Sequence, residues 1–114
     1  MKLVIYGNRD LGTVKEEFSE FFPFLKLEFY SSTEQSGAPV RFGLLPIKKC
    51  RDEDHNGVIG LSPLMKVSEL ENCFACYGLD AKVFVRSGNF WLDIFQKEHS
   101  LSEENHLGEA LSRL

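Results

Sequence analysis

A short acidic segment carries the clearest metal-ligand spacing in the chain. Asp52, Asp54 and Asn56 alternate ahead of a glycine, which matches the first half of the calcium loop D-x-D-x-N-G. Side-chain oxygens of this kind are the ligands that Ca²⁺ prefers. The twelfth position of the loop, however, is Pro63, where a bidentate glutamate belongs. The pattern leaves a weak cation site and a solvated acidic turn as alternatives, and the missing glutamate favours the turn.

Three cysteines and a histidine form a second candidate ligand set. Cys73 and Cys76 have the C-x-x-C spacing of zinc and redox sites, and Cys50 with His55 would complete a Cys3His zinc set. Redox motifs place the first cysteine at a helix N-terminus, where the helix dipole lowers the thiol pKa. Cys73 lies instead inside a predicted helix, on its apolar side, which is the usual place of a buried neutral thiol. The zinc, redox and core assignments stay open, and the helix position favours the core.

The sequence contains no recognisable catalytic motif. His55, His99 and His106 have no serine or cysteine in a nucleophile motif, and no glycine-rich phosphate loop is present. Glu103 and Glu104 are interpreted as solvated residues at a helix start, where carboxylates complement the helix dipole. We therefore predict no catalytic residue and no cofactor, and we favour a protein that is not an enzyme.

The second half of the chain carries the strongest secondary-structure signals. Ser68 with Glu71, and Ser100 with Glu103, have the spacing of a capping box and predict two helix starts. Between these helices, residues 80–86 alternate in polarity, and a Ser-Gly-Asn turn separates them from a mainly apolar segment at 90–95. This pattern predicts an antiparallel hairpin between the helices.

The first half predicts similar elements. An apolar run at 3–5 predicts a buried strand. Thr13 and Glu16 have capping-box spacing, and the helix that they start is expected to end before Pro23. Alternation over 24–30 predicts a half-buried strand.

The middle of the chain reads as a loop followed by a hairpin. Residues 31–40 are rich in Ser, Thr, Gly and Pro and predict a mobile loop. Residues 42–50 contain a proline, so a strand there is expected at a sheet edge. The dipeptide Asn56-Gly57 predicts a turn that pairs this strand with 58–61.

Together these elements predict one domain spanning residues 1–114 in the order β-α-β-β-β-α-β-β-α. The expected class is α+β, with a two-layer mixed β-sheet and helices mainly on one face. The arrangement closest to this order is a variant of the ferredoxin-like fold.

Two segments, 22–29 and 83–92, resemble a family of small uncharacterised bacterial proteins. The first reads Phe-Pro-Phe-Leu-Lys-Leu-Glu-Phe and the second Val-Phe-Val-Arg-Ser-Gly-Asn-Phe-Trp-Leu. The resemblance covers about half of the chain and implies no activity, ligand or catalytic residue. It implies a free-standing bacterial protein of unknown function.

The composition is that of an ordinary globular domain with an excess of phenylalanine. The 114 residues include ten Phe, and the formal net charge is -4. Nucleic acids and anionic membranes attract clustered Lys and Arg, which this chain lacks in quantity. An odd number of cysteines and no recognisable secretion signal favour a reducing compartment. We therefore predict a soluble cytoplasmic protein that binds neither nucleic acid nor membrane.

The strand predicted at 90–95 has apolar side chains on both faces. Trp91 and Phe95 lie on one face, and Phe90, Leu92 and Ile94 on the other. One face packs on the helices, so the other needs a cover, either the C-terminal helix or a second protein. We favour a homodimer, or a complex with another protein, with Trp91 and Phe95 as interaction residues. The alternative is a small-molecule-binding or enzymatic domain with an aromatic-lined pocket.

Overall fold

The computed structural model describes residues 2–5, 10–30, 39–40 and 57–113. Three helices and six strands follow one another along these residues, and the α+β class is confirmed. The elements are β1 (Lys2–Val4), α1 (Leu11–Phe21), β2 (Leu25–Tyr30), β3 (Pro39–Val40), β4 (Val58–Gly60), α2 (Val67–Cys76), β5 (Asp80–Ser87), β6 (Phe90–Asp93) and α3 (Leu101–Ser112).

The described strands form two antiparallel sheets. The larger sheet has the order β3-β2-β5-β6, and the smaller one pairs β1 with β4. This differs from the single mixed sheet that the sequence predicts, and the ferredoxin-like variant is not confirmed. The difference arises because β1 pairs with β4, for example Leu3 with Ile59. Alternation along a strand shows which residues face the core, but it does not identify the strand's partner.

The core lies against one face of the larger sheet. In β2 and β5 every second residue is buried, as the alternation predicts. On this face Phe29 of β2 meets Phe74 of α2 edge-to-face, with 5.2 Å between ring centroids. The core residues of these two strands are Leu25, Leu27, Phe29, Ala81, Val83 and Val85.

The start of α3 is confirmed at its predicted residue. The Ser100 side chain accepts a hydrogen bond from the Glu103 backbone N–H at 3.0 Å. The Glu103 carboxylate in return accepts from the Ser100 N–H at 3.2 Å. Both partners of the capping box are therefore in place, and two backbone donors of the first turn are satisfied. The hydrogen bond from the Ser100 backbone N–H, with a smaller effect from the Ser100 side chain, stabilises the charged carboxylate and lowers the pKa of Glu103.

The other two helices start earlier than the sequence predicts. Asp10 caps α1 by accepting from the Gly12 N–H at 3.1 Å, in place of the predicted Thr13. Lys66, rather than Ser68, is the N-cap of α2. The Ser68 hydroxyl donates instead to the Glu98 carboxylate at 3.3 Å.

Backbone hydrogen bonds tie the start of α2 to the start of α3, and we call these contacts the helix-start link. The N–H groups of Val67 and Ser68 donate to the carbonyls of His99 (3.0 Å) and Lys97 (2.9 Å). In the opposite direction, the Leu101 N–H donates to the Met65 carbonyl at 2.8 Å. Backbone N–H groups at the start of α2, which a capping side chain would otherwise satisfy, are thus satisfied by carbonyls of a distant segment. This is why α2 starts without the predicted serine cap.

The two serines provide a matched test of these helix starts. Ser100→Ala should lower the free energy of unfolding by about 1 kcal/mol, because it removes a formed cap. Ser68→Ala should cost less than about 0.5 kcal/mol, the usual range for a surface position without a cap. Urea unfolding followed by circular dichroism measures both. Equal losses for the two variants would contradict the assignment of Ser100 as the capping residue.

Part of the predicted middle region lies outside the described residues, namely 31–38 of the predicted loop and the predicted strand at 42–50. The last two residues of the predicted loop, Pro39–Val40, form β3 and pair with β2. Gly57, the second residue of the predicted turn, has a φ of 78°, which suits glycine. Its N–H donates to the buried Tyr77 hydroxyl at 2.9 Å, and its carbonyl accepts from Ile5 at 2.7 Å.

Candidate interaction surface

The hairpin of β5 and β6 presents the candidate surface. Its two-residue turn places Gly88 at a φ of 61°, and Ser87 pairs with Phe90 on either side of it. The Ser112 hydroxyl of α3 accepts from the Gly88 N–H at 3.1 Å. The Arg86 side chain donates to the Gly88 carbonyl at 2.8 Å. The turn is therefore fixed both within the hairpin and to the end of α3.

A set of exposed apolar side chains surrounds β6, and we call it the β6 patch. Phe95 is 88% exposed, and Trp91, which the sequence singles out with it, is 38% exposed. Ile94 between them is buried. Trp91 lies on the outer face of the sheet, whereas Leu92, which is paired with the buried Val85, lies on the core-facing side. The β6 patch comprises Phe90, Trp91, Leu92, Phe95 and Leu107.

The C-terminal helix only partly covers this patch. It packs on β5 and β2 through Leu101, Glu104 and Gly108, all of which are buried. The sequence instead predicts an apolar side made of Leu101, Leu107, Leu111 and Leu114, the last of which lies outside the described residues. Leu107 is exposed and Leu111 is half-buried, because the helix is turned so that Gly108 meets the sheet.

A groove of about 530 Å³ separates β6 and the segment after it from α3. Its volume falls within the range of small-molecule pockets. Most of its lining is apolar, and the polar lining residues are Asp93, Gln96, His99 and Glu104. The apolar lining residues are Val85, Trp91, Leu92, Ile94, Phe95, Leu107 and Leu111.

A histidine and a buried carboxylate are joined in this groove. His99 Nδ1 lies 2.9 Å from Glu104 Oε1, and the Glu104 side chain is only 4% exposed. The sequence reasoning missed this pair and treated Glu104 as a solvated residue at the helix start. The sequence did contain a signal that Glu104 is buried. Glu104 lies three residues after Leu101 and four before Gly108, which places it on the core-facing side of the helix.

Trp91 is held in place on the face of the larger sheet that points away from the core. The Lys26 ammonium lies 5.0 Å from the centre of the Trp91 ring and 5.4 Å from that of Phe84, within cation–π range. Glu28 fixes Lys26 through an ion pair of 3.6 Å and pairs with Lys15 of α1 at 3.1 Å. Trp91 is thus oriented by charged neighbours on β2.

The cysteines of the predicted C-x-x-C pair have different states. Cys73 is a free thiol, and its partial burial, with a smaller effect from Glu69, raises its pKa. Cys76 is disulfide-bonded, so these two cysteines are not joined to each other. A raised pKa disfavours the thiolate that redox and zinc chemistry both need.

The remaining candidate ligands, Cys50, Asp52, Asp54, His55 and Asn56, lie outside the described residues. Among the described residues, no group of three or more His, Cys, Asp or Glu side chains is placed to hold a metal ion. In the same part of the chain, no helix combines the length and hydropathy needed to cross a membrane.

No protein-family model, curated protein sequence or solved structure matches the chain.

Proposed function

We propose that the chain is a small protein-interaction module that forms a homodimer through β6. The observation that carries the proposal is the coincidence of the β6 patch with a sheet edge. Of the described strands, β6 ends the larger sheet and pairs only with β5. The backbone groups of every second residue of such a strand point away from its partner and are available to another strand. A second β6 would satisfy these groups and cover the adjoining apolar side chains.

A second copy suits this edge because the strand is compatible with pairing to itself. Antiparallel pairing about a two-fold axis at Trp91 or Leu92 would place the two patches side by side. The one charged residue of the strand, Asp93, would then lie away from its counterpart, so no like charges meet directly. The product would be a continuous antiparallel sheet across the two copies.

The charge on the outer face of the sheet supports a protein partner rather than a nucleic acid. Lys82 lies opposite Glu28 in the register of β5 and β2, and Tyr30 lies opposite Asp80. The basic residues of this face are thus interspersed with acidic ones. Nucleic acids bind where Lys and Arg are clustered, because affinity comes largely from counterion release.

Sedimentation at tens of micromolar tests the homodimer. The protein should sediment at twice its chain mass of 13.0 kDa. Trp91→Ala or Phe95→Ser should weaken the dimer about tenfold or more, since buried aromatic anchors commonly contribute over 1 kcal/mol. The matched control is Leu64→Ser, because Leu64 is 83% exposed and lies outside the β6 patch. Wild-type protein that still sediments as a monomer at about 100 μM would overturn the proposal.

The origin and location belong to the same proposal. The resemblance of residues 22–29 and 83–92 to small bacterial proteins supports a bacterial origin. The sequence favours the cytoplasm, whereas a disulfide at Cys76 is more usual in an oxidising compartment. Alkylating the native protein before and after reduction, followed by mass spectrometry of the Cys76 peptide, decides between these compartments.

A further inference from the structure

We propose that the two β6 strands of the homodimer pair in a single register, with the two-fold axis at Leu92 and with Asp93 of each copy against Lys26 of the other. This register rests on the proposed homodimer and specifies which residues meet across it. Three observations carry it: the direction of the backbone groups of β6, the unpaired charge of Asp93, and the position of the Lys26 ammonium.

A hydrogen bond of β5 shows which backbone groups of β6 are free. The Arg86 N–H donates at 2.9 Å to the carbonyl of the residue just before β2, so the backbone groups of Arg86 point away from β6. Arg86 lies opposite Trp91 in the register, and the two therefore form a non-hydrogen-bonded pair. The N–H and C=O groups of Trp91 then point away from β5, as do those of Asp93 two residues further along. Phe90 and Leu92 direct theirs toward β5.

The Leu92 register is the one that satisfies both outward-facing residues. With the axis at Leu92, Trp91 of each copy lies opposite Asp93 of the other, and each such pair exchanges both of its backbone hydrogen bonds. An axis at Trp91 would satisfy that residue alone, because Asp93 would then lie opposite Asn89, which belongs to the turn. An axis at Asp93 would place two like charges directly opposite each other, which is destabilising.

The charges on the outer face of the sheet fit the same register. Asp93 is exposed and forms no ion pair with any other described residue. The Lys26 ammonium lies 5.0 Å from the centre of the Trp91 ring. Asp93 of the partner subunit would lie directly opposite Trp91, with about 5.5 Å between the Cα atoms, so its carboxylate comes within reach of that ammonium. An ammonium has more than one donor, so Lys26 keeps its 3.6 Å ion pair with Glu28.

Cysteine cross-linking measures the register directly. In the proposed dimer Leu92 forms a non-hydrogen-bonded pair with its counterpart, with Cα atoms about 4.5 Å apart, which suits a disulfide. Mild copper–phenanthroline oxidation should therefore link Leu92→Cys protein into a covalent dimer. Trp91→Cys should not be linked, because its counterparts would be about 7–8 Å apart. The control is wild-type protein, in which Cys73 is a free thiol. Stronger cross-linking of Trp91→Cys than of Leu92→Cys would overturn the register.

Two charge variants test the contact between the copies. Lys26→Glu and Asp93→Lys should each weaken the dimer, because each places like charges together across the interface. When the two proteins are mixed, both contacts become attractive, and the mixed dimer should form at least about fivefold more tightly than either variant alone. Native mass spectrometry measures the proportions. The matched control mixes Lys82→Glu with Asp80→Lys, which lie on the same face of β5 beyond the end of β6, and should give a statistical mixture.

The failure of this register and the failure of the homodimer give different results. Wild-type protein that is monomeric by sedimentation overturns the homodimer and the register with it. A wild-type dimer whose charge variants show no preference for the mixed dimer overturns the register alone. The cross-linking of Leu92→Cys decides the outcome if either charge variant fails to fold.

Discussion

Replacing Gly108 with alanine should lower the free energy of unfolding by about 2 kcal/mol. An added Cβ would lie 2.7 Å from Phe24 Cβ and 3.0 Å from both the Phe24 carbonyl oxygen and Val85 Cγ2. Two of these three atoms belong to the backbone or sit next to it, so they cannot move away without shifting β2 or α3. Helix propensity alone predicts the opposite sign, a gain of about 1 kcal/mol for alanine.

The control for this prediction is Gly60→Ala. No atom lies within 4 Å of the Cβ position at Gly60. Alanine there should change the free energy of unfolding by less than about 0.5 kcal/mol, as at an ordinary surface site. Urea unfolding of both variants measures the difference. A stabilised Gly108→Ala protein would show that α3 does not approach the sheet as closely as described.

Phe74→Ala should produce the larger loss, about 3–5 kcal/mol. The Phe74 side chain is fully buried and packs edge-on against Phe29, so its removal leaves a cavity between α2 and the sheet. A loss of this size is a large fraction of the stability of an ordinary domain. The variant should therefore unfold at much lower urea concentration than the wild-type protein.

Phe90→Ala is the matched control for Phe74→Ala. Phe90 has the same side chain but is largely exposed, so its removal from an isolated chain should cost less than about 0.5 kcal/mol. Both variants are compared by urea unfolding at low micromolar concentration, where self-association contributes little. A small loss for Phe74→Ala would contradict its place in the core.

Features that depend on local pattern were predictable from the sequence. The alternation of β2 and β5 identifies their buried face, because successive side chains of a strand point to opposite sides. The Ser100 capping box is likewise local, since its partner lies three residues away. The sequence also identified Trp91 and Phe95 as apolar residues that need a cover, but it left open whether the C-terminal helix or a second protein provides it.

Features that depend on distant partners were not predictable. The start of α2 at Lys66 is set by carbonyls of the segment before α3, about thirty residues further along. The pairing of β1 with β4 spans an even longer separation. Gly108 appears in the sequence as a weak point of a helix, and only the close approach of Phe24 reveals its packing role. The His99–Glu104 pair was missed for the same reason, since burial of Glu104 depends on how α3 lies on the sheet.

The helix-start link also bears on how the protein opens. Neither α2 nor α3 can unwind from its first turn without breaking hydrogen bonds to the other, because Val67 donates to His99 and Leu101 donates to Met65. Elements tied in this way tend to open as one cooperative unit in native-state hydrogen exchange. His99 takes part in this link through its carbonyl and in the groove through its ring. The amide protons of Val67 and Leu101 should therefore exchange with solvent at similar rates, since exposing either one requires the same link to break.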